Sequence, residues 1–435
     1  MISPYFVPAD LITADTDYRD LSAETLRYLV ARLREMAVQP KPASRDWRER
    51  VAMAWTRVAR QGEKWQFSQA AELLAELEKT SRMSSSVLRE SLTNHFRAIA
   101  VDALLDWYDQ AAATHLSRNG RRSFVFVIAA GNLPGVALFP VIQLSLIGVP
   151  VLIKCASSEP WFLPVILQVL EAEEPQACAN LVALTWRREQ SALTQIVQEA
   201  HPATAAFGDD TTVSNIAQHA ANAYAPLGDR YSIAIIHAAT AKIKMLRQLV
   251  YDFLLFDGRG CLSPQWVLVV AERWSEVENL ALHLAGMLSE ETQKWPAGAW
   301  LPEEMTLIQQ WRGEWNARRA AGGSIALYQA EDTSWTVVAA DSFDSQQRVA
   351  FRTIRLWWVK SQAEAVKRLH HHGEKIHALA IDQIPQDIAE LTADLESDAA
   401  HLGRLITSPG NLQAPPFNWM NIHRSWFEFT RVVMS

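Results

Sequence analysis

The chain predicts an α/β protein whose mainly parallel sheets are covered on both faces by helices, with a helical region ahead of them. Three observations carry this. The first hundred residues show mostly helical spacing, strand-length apolar runs alternate with helical periodicity from Phe124 to His237, and the alternation restarts from about residue 240. A length of 435 residues further predicts two or three domains.

In 22–37, Leu26, Leu29, Val30, Leu33 and Met36 share one helical face, and 67–79 and 86–108 repeat the pattern with charged opposite faces. Phe124 to Ala129 reads as a buried strand, Val136 to Ile147 as a helix and Val151 to Lys154 as the next strand. Pro160 opens a helix to about Glu171, Leu181 to Thr185 and Ala203 to Phe207 are strands, and Thr211 to Asn222 is helical. Tyr231 to His237 closes this series. A helix to Phe256, a loop bearing Cys261, a strand at Trp266 to Val270 and a helix near Val277 to Ser289 follow. Lys294 to Gly323 is irregular in period and rich in Trp, so its elements are not placed. Gly403 to Thr407 is strand-like, Pro409 to Pro416 loop-like, and Trp426 to Met434 an apolar strand. The divisions are a helical region 1–100, a first α/β lobe 101–236, a second 237–402, and a closing segment 403–435. Parallel sheets bind ligands beyond their carboxyl strand ends.

With 41 basic against 48 acidic residues and a formal charge of -7, the chain has no general attraction for nucleic acid or anionic lipid. A phosphate-bearing ligand needs a local site. No charged residue occurs from Ser123 to Ile153, a length that would span a membrane. Turn punctuation at Gly131-Asn132-Leu133-Pro134-Gly135 and Gly148-Val149-Pro150 instead fits buried strand, helix and strand, so no span is expected. Cys155, Cys178 and Cys261 lack paired metal-ligand spacing and suit a reducing compartment, with no metal site. The start Met1-Ile2-Ser3-Pro4 lacks a basic region followed by an apolar run, which makes the cytoplasm the expected location.

The most informative segment is Asp257-Gly258-Arg259-Gly260-Cys261-Leu262-Ser263-Pro264-Gln265, in which two glycines let the backbone approach a substrate just before a cysteine. A thiol with a pKa of about 8.5 is a few per cent thiolate at neutral pH, and Arg259 or a helix amino terminus nearby would raise that share. An arbitrary cytosolic cysteine is more often a small buried hydrophobe. Asn132, between Gly131 and Pro134, also reads as a turn residue, Lys154 as a solvated strand-end cation, and Asp209 with Asp210 as a helix cap. His219 and His237 are candidates to assist thiol deprotonation, although a lone histidine is more often structural.

Taken in order, Ala129-Ala130-Gly131-Asn132-Leu133-Pro134-Gly135, Lys154, Phe207-Gly208-Asp209-Asp210 and Cys261-Leu262-Ser263-Pro264-Gln265 resemble the aldehyde dehydrogenase superfamily over roughly residues 100 to 435. Within it the sequence is most similar to the long-chain acyl-CoA reductases of the LuxC type. The resemblance implies an aldehyde-dehydrogenase-like fold, with a Rossmann-like nicotinamide cofactor domain over 101–236, an α/β catalytic domain over 237–402 and a carboxyl-terminal oligomerisation strand. It implies that Cys261 is the nucleophile, that the Asn132 side chain and the Cys261 N–H form an oxyanion hole, and that Lys154 reaches the adenine ribose. Ser157 stands where NAD-preferring relatives carry a ribose-binding glutamate, so NADPH is the expected cofactor and NADH the second choice. Gly208 would let the pyrophosphate lie against the following helix, with Asp209 at the same place. No GxGxxG fingerprint accompanies these strands.

Hydrolytic relatives carry a glutamate in Glu-Leu-Gly-Gly, and the matching stretch here is Pro226-Leu227-Gly228-Asp229-Arg230. Proline is no base, which favours reduction of an acyl-enzyme over its hydrolysis. Asp229 as a replacement base would give a hydrolytic aldehyde dehydrogenase, and a non-catalytic acyl-binding or scaffold subunit is the other alternative. The resemblance implies acyl-CoA or a carrier-bound acyl thioester as substrate, an acyl-adenylating enzyme or acyl carrier protein as partner, and a homodimer or homotetramer. Asn421-Ile422-His423-Arg424 departs from the His-Asp-Gly of the nearest relatives. Among 17 tryptophans, Trp266, Trp357 and Trp358 suit either an acyl tunnel or core packing.

Overall fold

In a computed structural model of the chain, the structure describes residues 2–12, 18, 20–38, 44–113, 123–220, 223–343, 351–371, 375–383, 405–419 and 426. The chain divides into two compact units, one of Met1–Ser81, Leu92–Asp229 and Pro416–Ser435, the other of Arg82–Ser91 and Arg230–Pro415.

Five helices come first: α1 (Ala23–Val38), α2 (Arg45–Lys64), α3 (Ala70–Ser81), α4 (Ser85–Arg97) and α5 (Val101–Ala113). Spacing in α1 is what the sequence predicts, because Leu26, Leu29, Val30 and Leu33 are buried together against Phe124, Phe126 and Leu152. In α2, Ser44 caps the helix by accepting from the Trp47 N–H at 3.2 Å, and buried Trp55 donates to Ser145 Oγ at 2.8 Å.

The first sheet follows from β1 (Val125–Ile128), α6 (Leu138–Ile147), β2 (Val151–Cys155), α7 (Phe162–Glu173), α8 (Pro175–Cys178), β3 (Leu181–Thr185), α9 (Ser191–Gln198), β4 (Ala203–Phe207), α10 (Asp210–Ala217) and β5 (Tyr224–Leu227). Its order is β3-β2-β1-β4-β5 and every pairing is parallel. The uncharged run from Ser123 is thereby explained: β1 is the central strand, α6 is buried at every position, and Gly148 at φ 75 ends α6 in the left-handed region. Connections leave β1 and β4 in opposite directions, and open parallel sheets commonly bind ligands beyond the carboxyl ends at such a switch point.

The second unit holds β6 (Tyr231–His237), α11 (Ile243–Leu254), β7 (Pro264–Val270), α12 (Trp274–Lys294), α13 (Pro302–Ala320), β8 (Ile325–Gln329), β9 (Thr336–Ala340), β10 (Thr353–Val359), α14 (Gln362–His371), β11 (Ile376–Ile381) and β12 (Leu405–Thr407). Their order is β12-β11-β6-β7-β10-β9-β8, with only the β8–β9 pair antiparallel among the described strands. Trp266 and Trp357 lie in this sheet's core with Trp311, Trp315 and Phe343, and all five are buried. Packing therefore accounts for those two tryptophans. Trp358 donates to the Ala271 carbonyl at 2.9 Å.

Two elements differ from the sequence reading. Strand β6 does not close the first sheet; it pairs with β7 and β11 in the second. The first sheet ends instead in β5, where Pro226 is tolerated because an edge strand does not need its N–H. The unplaced stretch from Lys294 is the end of α12 followed by α13, whose buried stripe includes Arg312. That guanidinium donates to Thr336 Oγ1 at 2.9 Å and to the Asp332 and Trp335 carbonyls at 2.6 and 2.8 Å, so a cation at a core position blurred the period. The helix expected over Thr211 to Asn222 is described only to Ala217, and 221–222 lie outside the described residues.

No helix among the described residues is long and apolar enough to cross a membrane. Of the expected closing strand Trp426 to Met434 only Trp426 is described, and Asn421-Ile422-His423-Arg424 lies outside the described residues. Trp426 is 1% exposed and donates to Gln143 Oε1 of α6 at 2.6 Å. Replacing Trp426 with Ala is expected to cost about 3–5 kcal/mol in denaturant unfolding. A loss below about 1 kcal/mol would show that this side chain does not dock as described.

Candidate active site

The chain reaches Cys261 through a turn that its own residues disfavour. After α11, Phe256, Asp257 and Gly258 have φ of 51, 55 and 69, all left-handed. Glycine adopts this freely, whereas each of the other two pays about 1–2 kcal/mol. The turn is held from outside. Asp257 Oδ1 accepts from Arg352 Nε at 2.7 Å, with both side chains fully buried. Arg352 also donates to the Trp295 and Pro296 carbonyls at 2.8 and 3.1 Å, the Gly298 N–H reaches Asp257 Oδ2 at 3.3 Å, and the Phe256 N–H reaches Ser91 Oγ at 3.1 Å.

Beyond the cysteine, Ser232 Oγ of β6 donates to the Cys261 carbonyl at 2.8 Å, and the Ser263 N–H closes a turn on the Gly260 carbonyl at 3.0 Å. Gln413 Nε2 donates to Ser263 Oγ and to the Asp252 carbonyl, both at 3.0 Å. The Asp252 carboxylate takes the N–H of Gly410 at 2.6 Å, and burial pushes its pKa up to about 7.

Cys261 is half-buried, while Cys155 and Cys178 are buried, which separates it from the core cysteines. Burial pushes the Cys261 thiol up to about 11, against the backbone N–H groups of Cys261 and Leu262, which favour the thiolate. The expected enrichment in thiolate is therefore reversed, because desolvation outweighs two N–H dipoles. Arg259 lies 5.1 Å from the Trp300 ring and 4.5 Å from the Phe351 ring, which are stacked at 5.4 Å.

His237 does not assist this thiol. It ends β6 opposite Val270, whereas Cys261 precedes β7 at Pro264, and the intervening strand spans roughly 20 Å at about 3.3 Å per residue. Its Nδ1 and its N–H each lie 2.8 Å from an Asp382 oxygen. His219 is exposed just after α10 in the first unit.

In the first unit, Asn132 is exposed in the loop between β1 and α6, Lys154 is on β2, and Ser157 is exposed in the turn after it. Gly208 and Asp209 follow β4. All five thus stand at carboxyl strand ends of one sheet. Gly131 is confined: a Cβ there would meet Ser158 Oγ at 2.1 Å, and Ser158 Oγ donates to the Gly131 carbonyl at 3.2 Å. Lys154 Nζ lies 5.2 Å over the Trp186 ring, and burial lowers its pKa. Glu159, two residues past Ser157, turns inward to accept the N–H of Trp161 at 3.1 Å and of Phe162 at 2.9 Å, and burial pushes it up to about 7. Asp209 caps α10 by accepting the Thr212 N–H at 2.6 Å, and Asp210 Oδ1 accepts the Asp229 N–H at 2.8 Å. Pro226 is exposed on β5.

The sequence reading missed the Asp257–Arg352 pair, Ser232 and Gln413. Asp257 stood in the quoted motif, but nothing local marks residues so far along the chain as its supports. No group of three or more potential metal ligands occurs among the described residues.

Two outcomes follow. Arg352→Gln leaves Asp257 buried without its cation and should cost about 3–5 kcal/mol in denaturant unfolding; a change below about 1 kcal/mol would contradict the role given to the pair. Because only the thiolate is alkylated and the Cys261 thiol titrates near 11, iodoacetamide labelling should rise about tenfold per pH unit from 7 to 9 and vanish in Cys261→Ala. A rate that levels off below pH 9 would contradict that environment.

Comparison with solved structures finds the aldehyde dehydrogenase fold. Methylmalonate-semialdehyde dehydrogenase (DddC) of Oceanimonas doudoroffii is 13% identical, with 94% of this chain and 90% of that one covered at a TM-score of 0.66. Aldehyde dehydrogenase 21 of Physcomitrella patens, in complex with its product succinate, is 12% identical, with 92% and 88% covered at 0.63. A putative methylmalonate-semialdehyde dehydrogenase of Sinorhizobium meliloti, complexed with NAD, is 13% identical, with 89% and 82% covered at 0.61. Comparison with curated protein sequences finds no match. The family model described as acyl-CoA reductase (LuxC) matches residues 46–402, most of the chain. The chain therefore belongs to the LuxC family of acyl-CoA reductases, oxidoreductases that form aldehydes.

Proposed function

We propose that Cys261 takes the acyl group from a thioester and that the resulting thioacyl enzyme is released as aldehyde by reduction with NADPH, with NADH the second choice. The observation that carries this is the half-buried thiol beside two backbone N–H groups on a turn fixed by a buried ion pair.

Attack by Sγ forms a bond to the carbonyl carbon and pushes negative charge onto the carbonyl oxygen. The Cys261 N–H is assigned as the backbone donor to that oxygen, on a loop whose Cys261 carbonyl accepts from Ser232 Oγ. Asn132 is assigned the side-chain donor; its amide makes no hydrogen bond among the described residues and so is available. Collapse expels the carrier thiol and leaves the acyl group on sulfur. Since the resting thiol is mostly protonated below pH 11, its proton must leave as the bond forms, and acylation should speed up with pH.

The first unit fits a dinucleotide by its strand order and by the chemistry of its donors: an ammonium at Lys154, a hydroxyl at Ser157, and no free carboxylate from Glu159. Lys154 and Ser157 would hold the adenine ribose, and Gly208 the pyrophosphate side, with Asp209 shaping the helix start beside it. When bound, the reduced nicotinamide supplies the hydride. The same oxygen donors then serve the hemithioacetal while Sγ leaves and aldehyde departs. Pro226 places no base where hydrolytic relatives have one, so the acyl group persists on sulfur until reduced.

This reading includes acyl-CoA or a carrier-bound thioester as substrate, an acyl-adenylating or acyl-carrier partner, a homodimer or homotetramer, and a cytoplasmic location. Incubation with fatty and aromatic acyl-CoAs followed by intact-mass measurement should show one acyl adduct in the wild type and none in Cys261→Ala. Asn132→Ala should lower turnover about a hundredfold to a thousandfold. Absence of a Cys261-dependent adduct across the panel would favour a non-catalytic acyl-binding subunit.

A further inference from the structure

The carboxyl ends of β2 and β3 gather positive charge. Their register sets Lys154 beside Leu184 and Cys155 beside Thr185, so Trp186, Arg187 and Arg188 follow at the same end of the sheet. The Trp186 ring that carries Lys154 is fixed, stacking on Phe126 at 6.2 Å and donating from Nε1 to Thr194 Oγ1 at 2.9 Å. Arg187 and Arg188 lie in a closed turn, in which the Arg187 N–H reaches Gln190 Oε1 at 2.9 Å and the Gln190 N–H reaches the Arg187 carbonyl at 3.1 Å.

Both guanidinium groups are exposed, and among the described residues neither has a hydrogen-bond, ion-pair or ring partner. Glu189 on the same turn is exposed too. The hydroxyl of Ser157 is exposed in the adjoining turn, and the Glu159 carboxylate there is engaged by α7. Acidic residues gather elsewhere on this sheet, as Asp209, Asp210 and Asp229 at the β4 and β5 ends. Lys154 is held below its usual pKa by burial first and also by the charge of Arg188, so two cations act on one another here.

Resting on the dinucleotide reading above, we infer that Arg188, with Arg187 beside it, binds the 2′-phosphate of NADPH and sets the preference over NADH. A ribose phosphate carries nearly two negative charges and matches the guanidinium fork. Ser157 only removes a repulsive carboxylate; the arginines add the attractive contact, and selectivity between two close ligands commonly uses both. A ribose hydroxyl would leave both arginines hydrated at little cost, so discrimination arises by gain for the phosphate.

Titration calorimetry of the full chain with 2′,5′-ADP and with 5′-AMP tests this without any acyl chemistry. The wild type should bind 2′,5′-ADP about tenfold to a hundredfold more tightly than 5′-AMP, a margin that shrinks with added salt. Arg188→Ala should remove about tenfold of that margin and the double variant with Arg187→Ala nearly all of it, with 5′-AMP affinity unchanged in both. Equal affinity for the two probes in the wild type, or an undiminished margin in the double variant, would overturn the assignment alone. Binding of neither probe would overturn both the assignment and the dinucleotide reading, while leaving the Cys261 acylation experiment standing.

Discussion

The buried pair between Asp257 and Arg352 is the constraint on which the turn before Cys261 depends. Phe256 and Asp257 sit in a backbone region that L side chains avoid, and an isolated peptide would relax out of it. An unpaired buried carboxylate would be worse still, so the fold settles the matter by bringing Arg352 from just before β10 and sharing its remaining donors with the Trp295 and Pro296 carbonyls. With the pair in place the left-handed turn leaves both Asp257 carboxylate oxygens hydrogen-bonded, one to Arg352 and one to the Gly298 N–H. Cys261 then emerges three residues after Gly258 on a backbone already fixed at Ser232 and Ser263.

Burial at this turn has an electrostatic cost for the Cys261 thiol. Burial keeps the Cys261 thiol neutral at physiological pH, and the backbone N–H groups of Cys261 and Leu262 recover only part of the thiolate's lost hydration. A neutral resting thiol is slow to be alkylated or oxidised. The Cys261 thiol is thus guarded by desolvation rather than by a cationic neighbour, since Arg259 is placed over Trp300 and Phe351.

Much of the fold was legible because its cause is local. Buried β1 and α6 announce themselves as an uncharged run broken at Gly148, and α1 by its apolar stripe. What was not legible depends on distant partners. Strand β6 has the same composition whichever sheet receives it, and only its pairing with β7 and β11 assigns it to the second. Arg312 in the stripe of α13 makes sense only with the carbonyls that precede β9. At the site, the cysteine and its glycines could be read from one segment, as could the capping alternative for Asp209 that the structure adopts. Ser232, Gln413 and Arg352 could not, because each acts on the loop from a remote stretch of chain.

The claim on which the chemistry turns is that sulfur-bound acyl is discharged by hydride and not by water. Acyl-enzyme isolated free of excess thioester, then divided between buffer alone and buffer with NADPH, measures this directly. Aldehyde formed at once with NADPH, alongside an adduct that persists in buffer, is the predicted result. Release of carboxylic acid at the same rate in both samples would contradict it.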